Sequence, residues 1–237
     1  IPVEVIVVEQ SPRADFKTIV PAGVRYFHTS SPSPDMPFNR SWALNYGVRQ
    51  ARGDVVVLMD ADMLLPQRFA ASVSEVMSRG LDAVRPVRLL FYLDATTSEE
   101  VQQKQSLRTV RAVAEIAQNK PNPIAVRRDA YWAIGGHDES FWGWGGEDNE
   151  FVSRLQTLRL SSAGFLPVIH LWHASAVATG SGRNQELLKD RLAVPAIERI
   201  RSLSVTSLGQ DRPASSWSTA LNVVSSRTCH WCTPAWD

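Results

Sequence analysis

The apolar run Val55-Val56-Val57-Leu58-Met59, delivered straight into Asp60-Ala61-Asp62, constrains this chain more than any other feature. β-Branched residues in succession, bounded by Gly53-Asp54 on one side and two carboxylates on the other, read as a buried strand. Carboxylates emerging where such a strand ends can hold a hard divalent cation, and that cation can hold a diphosphate. D-x-D triplets also occur in plain surface turns, so the neighbouring segments decide what this one means.

Those segments alternate strand and helix. Residues 4–8 and 24–27 read as strands. Asn39 is placed to cap a helix reaching about Arg52, with Ala43, Leu44, Gly47, Val48 and Ala51 on one face and Gly53 as the stop. A second helix opens at Pro66, turns Phe69, Val73, Val76 and Met77 inward, and ends at Gly80. Short connections between alternating elements predict an α/β fold in one domain, a mostly parallel, doubly wound sheet flanked by helices. Ligands bind such sheets beyond the carboxyl ends of the strands, where Asp60 and Asp62 fall. Farther on, 98–118 reads as a long polar helix, 122–126 as a strand, 129–134 as a helical turn and 166–172 as a strand. A helix over 186–201 carries Pro195, which predicts a kink or a split. Residues 1–201 make up the domain, and 202–237, with Ser, Thr, Pro and scattered Trp, a loosely structured tail.

Composition narrows the partners. At 237 residues and 44% hydrophobic content an ordinary core is available, while a formal charge of +1 offers no global pull towards nucleic acid or acidic membrane. Nor does a basic cluster interleave with aromatics, so no nucleic-acid partner is expected. No stretch approaches the roughly twenty apolar residues that cross a bilayer. Because the chain starts at Ile1 and enters a strand at once, an upstream anchor or domain is expected to have been lost. The compartment stays open: cytoplasmic if the source is bacterial, the secretory lumen if an anchor was removed. Oligomeric state is likewise open. Cys229 and Cys232 form a single C-x-x-C with no second pair to complete a zinc site, and read as incidental.

Two further segments carry chemistry. In Phe141-Trp142-Gly143-Trp144-Gly145-Gly146-Glu147-Asp148, three glycines let backbone approach a ligand and two indoles offer faces to a pyranose. Glu147 and Asp148 then fall in the first turn of a helix, where the dipole favours carboxylates. His170-Leu171-Trp172-His173 closes a strand, so both imidazoles can swing to one edge. With Asp62 they would make a mixed carboxylate–imidazole site suited to Mn²⁺ ahead of Mg²⁺ or Ca²⁺.

In order and approximate spacing, Phe38-Asn39-Arg40, Asp60-Ala61-Asp62, the Trp142–Asp148 block and His173 resemble the β1,4-galactosyltransferases and their inverting GT-A relatives. The likeness spans roughly residues 3–190. It implies a Rossmann-like GT-A domain that uses Mn²⁺, or Mg²⁺ as second choice, to move a hexose or N-acetylhexosamine. The donor would be a nucleotide sugar, with UDP as the expected nucleotide, and the acceptor a hydroxyl on a glycan or other molecule. By the same resemblance Asp62 and His173 are metal ligands, and His170 stands where vertebrate relatives use methionine. Asp148 matches the catalytic base and Glu147 its acidic neighbour near the acceptor. Asp60 would lie by the ribose and metal shell, Arg40 near the nucleotide, Gln10 by the uridine, and Trp144 against sugar on a closing loop. The segment 174–183 corresponds to a loop that closes over donor and metal. Residues 119–124 depart from the galactosyltransferase pattern, which leaves the donor sugar open. Two alternatives stay beside this reading: a retaining enzyme of the polypeptide N-acetylgalactosaminyltransferase type, and a non-catalytic nucleotide-sugar-binding module.

Overall fold

The computed structural model describes residues 1–29, 37–118, 120–174, 181–203 and 205–210. Its first layer is a parallel pair, β1 (Ile6–Gln10) and β2 (Arg25–Thr29), with helix α1 (Arg40–Gln50) laid against β1. Asn39 caps that helix as its sequence position suggests: its side-chain oxygen accepts from the Trp42 N–H at 2.8 Å. The apolar run forms β3 (Val55–Leu58), and after Asp60-Ala61-Asp62 the chain enters the short β4 (Met63–Leu64). Helix α2 (Phe69–Met77) leads to β5 (Ala83–Val84) and β6 (Val87–Tyr92).

The long polar helix expected over 98–118 is not formed. Helix α3 (Ala95–Lys104) stops where Gln105 adopts a left-handed conformation (φ 51°). A 3-10 turn follows (Leu107–Thr109), and β7 (Glu115–Gln118) pairs antiparallel with β6. Glu, Ala and Gln favour a helix when exposed, but here the hydrogen bonds to β6 and the burial of Ala117 outweigh that preference. The remaining elements are β8 (Ile124–Arg127), α4 (Arg128–Ala133), α5 (Glu147–Leu155), β9 (Leu160–Ser161), β10 (Leu166–His170), α6 (Ser181–Ala193) and α7 (Ala196–Ser202). Pro195 splits α6 from α7, as its missing N–H requires.

The α/β expectation holds, with helices covering the strands, but the pairing is mixed rather than mostly parallel. Sheet order β3-β8-β5-β9 has β8 antiparallel to both of its neighbours, and order β4-β10-β6-β7 is parallel only between β10 and β6. Both faces of the β3-β8-β5-β9 sheet are covered. In β8, Ile124 and Val126 face Val48, Tyr131, Phe151 and Leu155, whereas Ala125 faces Phe69, Val73 and Met77 of α2. Fully buried side chains such as Phe151 and Leu155 contribute about 1.5–3 kcal/mol each.

Packing continues past Arg201 into the stretch expected to be a loose tail. Arg49 donates to the Leu208 and Val205 carbonyls, and Trp42 Nε1 donates to the Gln210 carbonyl at 2.9 Å. The rest of that tail, with Cys229 and Cys232, lies outside the described residues. So do residues 175–180 of the expected closing loop, and Asn119. No helix among the described residues is long and apolar enough to cross a membrane.

Candidate active site

Strand register brings Asp62, His170 and His173 to one corner. β10 pairs antiparallel with β4, setting His170 opposite Met63, and the Leu171 N–H donates to the Asp62 carbonyl at 2.9 Å. The two imidazoles thereby meet the Asp62 carboxylate: His170 Nε2 lies 3.6 Å from Oδ1 and His173 Nε2 lies 3.3 Å from Oδ2. One ligand atom from each of the three residues falls within 4.8 Å of the others. Each ring is already oriented, because its Nδ1 sits against a backbone carbonyl (Leu171 at 2.7 Å, Ala174 at 3.0 Å) that can only accept. Nδ1 therefore carries the proton in the neutral ring, and the Nε2 lone pair is aimed at the shared centre. Asp62 Oδ1 is buried with no hydrogen-bond partner among the described residues. Burial raises the Asp62 carboxyl above its ordinary value, and His170 opposes that shift. An orphaned carboxylate oxygen beside two aimed imidazoles fits a first-row divalent transition-metal ion, Mn²⁺ among them.

A second cluster abuts this corner. Arg40, the first residue of α1, donates from Nε to Asp60 Oδ1 at 2.8 Å and from Nη1 to Asp148 Oδ1 at 2.7 Å; Glu147 Oε1 stands 3.7 Å away. One guanidinium thus bridges the strand-end carboxylate and the first turn of α5. Asn122 completes the grip by donating to Asp148 Oδ2 at 2.8 Å. Burial raises the Asp148 carboxyl, with Arg40 opposing; burial and the neighbouring Asp148 raise Glu147, with Arg40 again opposing. Glu147 Oε2 has no hydrogen-bond partner among the described residues.

The aromatic–glycine loop is shaped by contact. Gly146, at φ 92°, precedes α5; a Cβ there would meet Phe141 Cε1 at 2.8 Å and the Asn184 carbonyl at 3.2 Å. Asn184 of α6 donates from Nδ2 to the Trp142 and Trp144 carbonyls, both at 3.1 Å, and Arg183 lies 4.2 Å from the Trp142 ring centroid. The Trp144 side chain is 59% exposed. Gln10, at the end of β1, is buried, and its Oε1 accepts from the Asn39 N–H at 2.8 Å.

These pieces converge on a cleft of about 160 Å³ lined by Asp60, Asp148, His170, Asn122, Tyr92 and Lys120 among others. The structure therefore unites Arg40, Asp60, Asp62, Asp148, His170 and His173 at one locus. Of these, Asp60, Asp148 and His170 line the cleft, while Arg40 and Asp62 join it through ion pairs to those residues and His173 through Asp62; Glu147 adjoins through Arg40, and Gln10 and Trp144 lie outside the lining. Sequence reasoning did not single out Asn122, Tyr92, Lys120 or Asn184. Tyr92 packs on His170 (ring centroids 4.8 Å apart) and lies beneath the Lys120 ammonium at 5.8 Å. The only hint of Lys120 and Asn122 was their place in the divergent segment 119–124.

The chain matches the family described as glycosyltransferase like family 2 over residues 2–176. No curated protein matches it. Among solved structures it is similar to GalNAc-T7 with UDP, GalNAc and Mn²⁺, at 13% identity and a TM-score of 0.52, with 84% of this chain and 47% of that one covered. This chain thus spans about half the length of that structure. The catalytic domain of Drosophila β1,4-galactosyltransferase 7 in complex with xylobiose aligns at 17% identity and a TM-score of 0.37, covering 77% of this chain and 80% of that one. A mutant of the same Drosophila enzyme, in complex with manganese, UDP-Gal and xylobiose, aligns at 16% and 0.36 over the same shares.

Proposed function

The chain belongs to glycosyltransferase like family 2, and on that premise we propose that it moves a hexose or N-acetylhexosamine from a UDP-sugar to an acceptor hydroxyl with inversion. The observation that carries this reading is that His170 belongs both to the Asp62–His170–His173 corner and to the lining of a cleft that Asp60 and Asp148 also line. Asp62, His170 and His173 would hold Mn²⁺, which when bound would supply positive charge against the diphosphate of a departing nucleotide. Arg40, fully protonated amid three carboxylates, lies beside that charge and keeps Asp60 and Asp148 in register.

Asp148 is the group assigned to take the proton from the attacking hydroxyl. Its burial makes it a stronger base than an exposed aspartate, and the Arg40 and Asn122 hydrogen bonds fix its two oxygens while each keeps a lone pair to accept with. Glu147 would orient the acceptor beside it. Trp144, exposed on a loop whose backbone is held by Asn184, offers an indole face to sugar. Gln10 would contact the base of the nucleotide from the end of β1.

A screen of UDP- and GDP-sugars, each with Mn²⁺ or chelator and scored for nucleotide release, tests the reading. Metal-dependent release from a UDP-sugar is expected, and NMR of the product should show an inverted anomeric centre. A retained anomer removes Asp148 as the base. Absence of both release and nucleotide-sugar binding removes the enzyme reading.

A further inference from the structure

A second cavity, of about 310 Å³, adjoins the cleft at Pro121, which lines both. Its lining is Arg85, Pro121, Asn149, Val152, Ser153, Gln156 and Leu192. Asn149, Val152, Ser153 and Gln156 stand at spacings of three, four and seven along α5, so a single helix face forms one wall. That face begins at the residue next to Asp148. Leu192 of α6 and Pro121 add apolar surface on either side.

The lining chemistry is that of a saccharide site. Two carboxamides, a hydroxyl and a guanidinium can satisfy ring hydroxyls, while Val152, Leu192 and Pro121 offer apolar surface to the C–H face of a pyranose. Among the described residues no carboxylate lines the cavity. Ser153 Oγ accepts from Arg199 Nη2 at 2.6 Å, which leaves its own O–H to donate. Arg85 Nη2 donates to the Lys120 carbonyl at 3.2 Å, tying the wall of this cavity to a residue that lines the cleft. The volume sits at the lower end of the range for small-molecule pockets, about 300–1,000 Å³.

From the shared Pro121 wall and this lining we propose that the acceptor is an oligosaccharide, whose reacting unit lies at Asp148 and whose next unit occupies the adjoining cavity. The inference rests on the glycosyl-transfer reading above and extends it to the acceptor. The cavity makes the enzyme prefer a chain of at least two sugars over the single sugar.

The test is a titration of the ¹⁵N-labelled full chain, with UDP and Mn²⁺ present, using xylose and xylobiose, galactose and lactose, and glucuronic acid and a glucuronate-containing disaccharide. One disaccharide should bind about tenfold more tightly than its monosaccharide, the equivalent of one or two net hydrogen bonds. It should also shift the Asn149, Ser153 and Gln156 amides. Leu192→Trp, which fills the cavity from an exposed position, and Gln156→Ala should each remove that preference in a folded protein. Equal affinity for monosaccharide and disaccharide across the panel overturns the subsite. A preference that survives Leu192→Trp, or no sugar bound by a protein that does bind UDP and Mn²⁺, overturns it equally. Failure of UDP and Mn²⁺ to bind the wild type is a separate result, which overturns the donor reading and the subsite resting on it.

Discussion

Helix α5 carries two charge clusters within about two turns, and they are built on opposite terms. At its first turn, Glu147 and Asp148 share Arg40 with Asp60, so three carboxylates face one cation. One turn on, Glu150 faces two cations, Arg154 and Arg199, all three nearly inaccessible to solvent. There every group is answered. Both Glu150 oxygens accept from Arg154, Glu150 Oε1 also accepts from Arg199 at 2.5 Å, and the remaining Arg154 donors reach the Ile134 and Gly136 carbonyls. The first cluster instead leaves Glu147 Oε2 without a hydrogen-bond partner among the described residues, with Asp62 Oδ1 likewise nearby. Buried charge that is saturated serves the fold; buried charge left over is available to a ligand.

The largest expected effect falls on the unsaturated side. Asp148→Asn should lower turnover by about 10²–10⁴-fold while the melting temperature stays level or rises. Near-normal turnover would falsify the base assignment. On the saturated side the sign reverses. Glu150→Ala leaves Arg154 and Arg199 buried without their anion and should cost about 3–5 kcal/mol in urea unfolding. Glu147→Gln, only three residues away, should shift stability by about 1 kcal/mol or less, and in the stabilising direction. Equal losses from both variants would erase the contrast.

The metal corner gives the next effect down. His173→Ala should weaken Mn²⁺ binding, read by calorimetry, at least as much as the ~10–100-fold lost with an outer-shell partner. Unchanged affinity would move the ion elsewhere.

The smallest effect is in pH. Burial raises Glu147 and Asp148 in the folded state, so the folded chain holds protons that the unfolded chain has released. The stability they contribute is full below the unfolded carboxylate values, about 4, and is lost as pH rises through the raised folded values. In chelator the melting temperature should therefore drift down over that interval, and the Glu147→Gln, Asp148→Asn double variant should flatten the drift. Asp138 runs the other way. Although its burial acts to raise it, the Arg191 ion pair at 2.7 Å and the Ser140 N–H hold its carboxyl low, so its stabilisation is lost only as pH falls below the ordinary aspartate range.

Legibility in the sequence follows the range of the interaction. The Asn39 cap, the Val55–Met59 strand and the Pro195 break are decided within a few residues, and all form where the sequence places them. Strands β4, β5 and β9 are two residues long, too short for any periodicity to register. Residues 115–118 carry helix formers and become an edge strand only through β6. At the site, residue types with unusual chemistry were legible as candidates. The geometry uniting them was not, since Arg40 and Asp148 are 108 residues apart and the Asn122 bond to Asp148 has no local signature.

The pairing of β10 with β4 also bears on how the protein matures. Asp62 is made early and His170 late, and they meet only when β10 has docked between β4 and β6 in the correct register. A slip of one residue would turn His170 to the opposite side of the sheet. A metal held by these residues could therefore not nucleate folding from the first half of the chain. It would reward only a sheet that is already correctly assembled, as a proofreader of strand alignment instead of a seed.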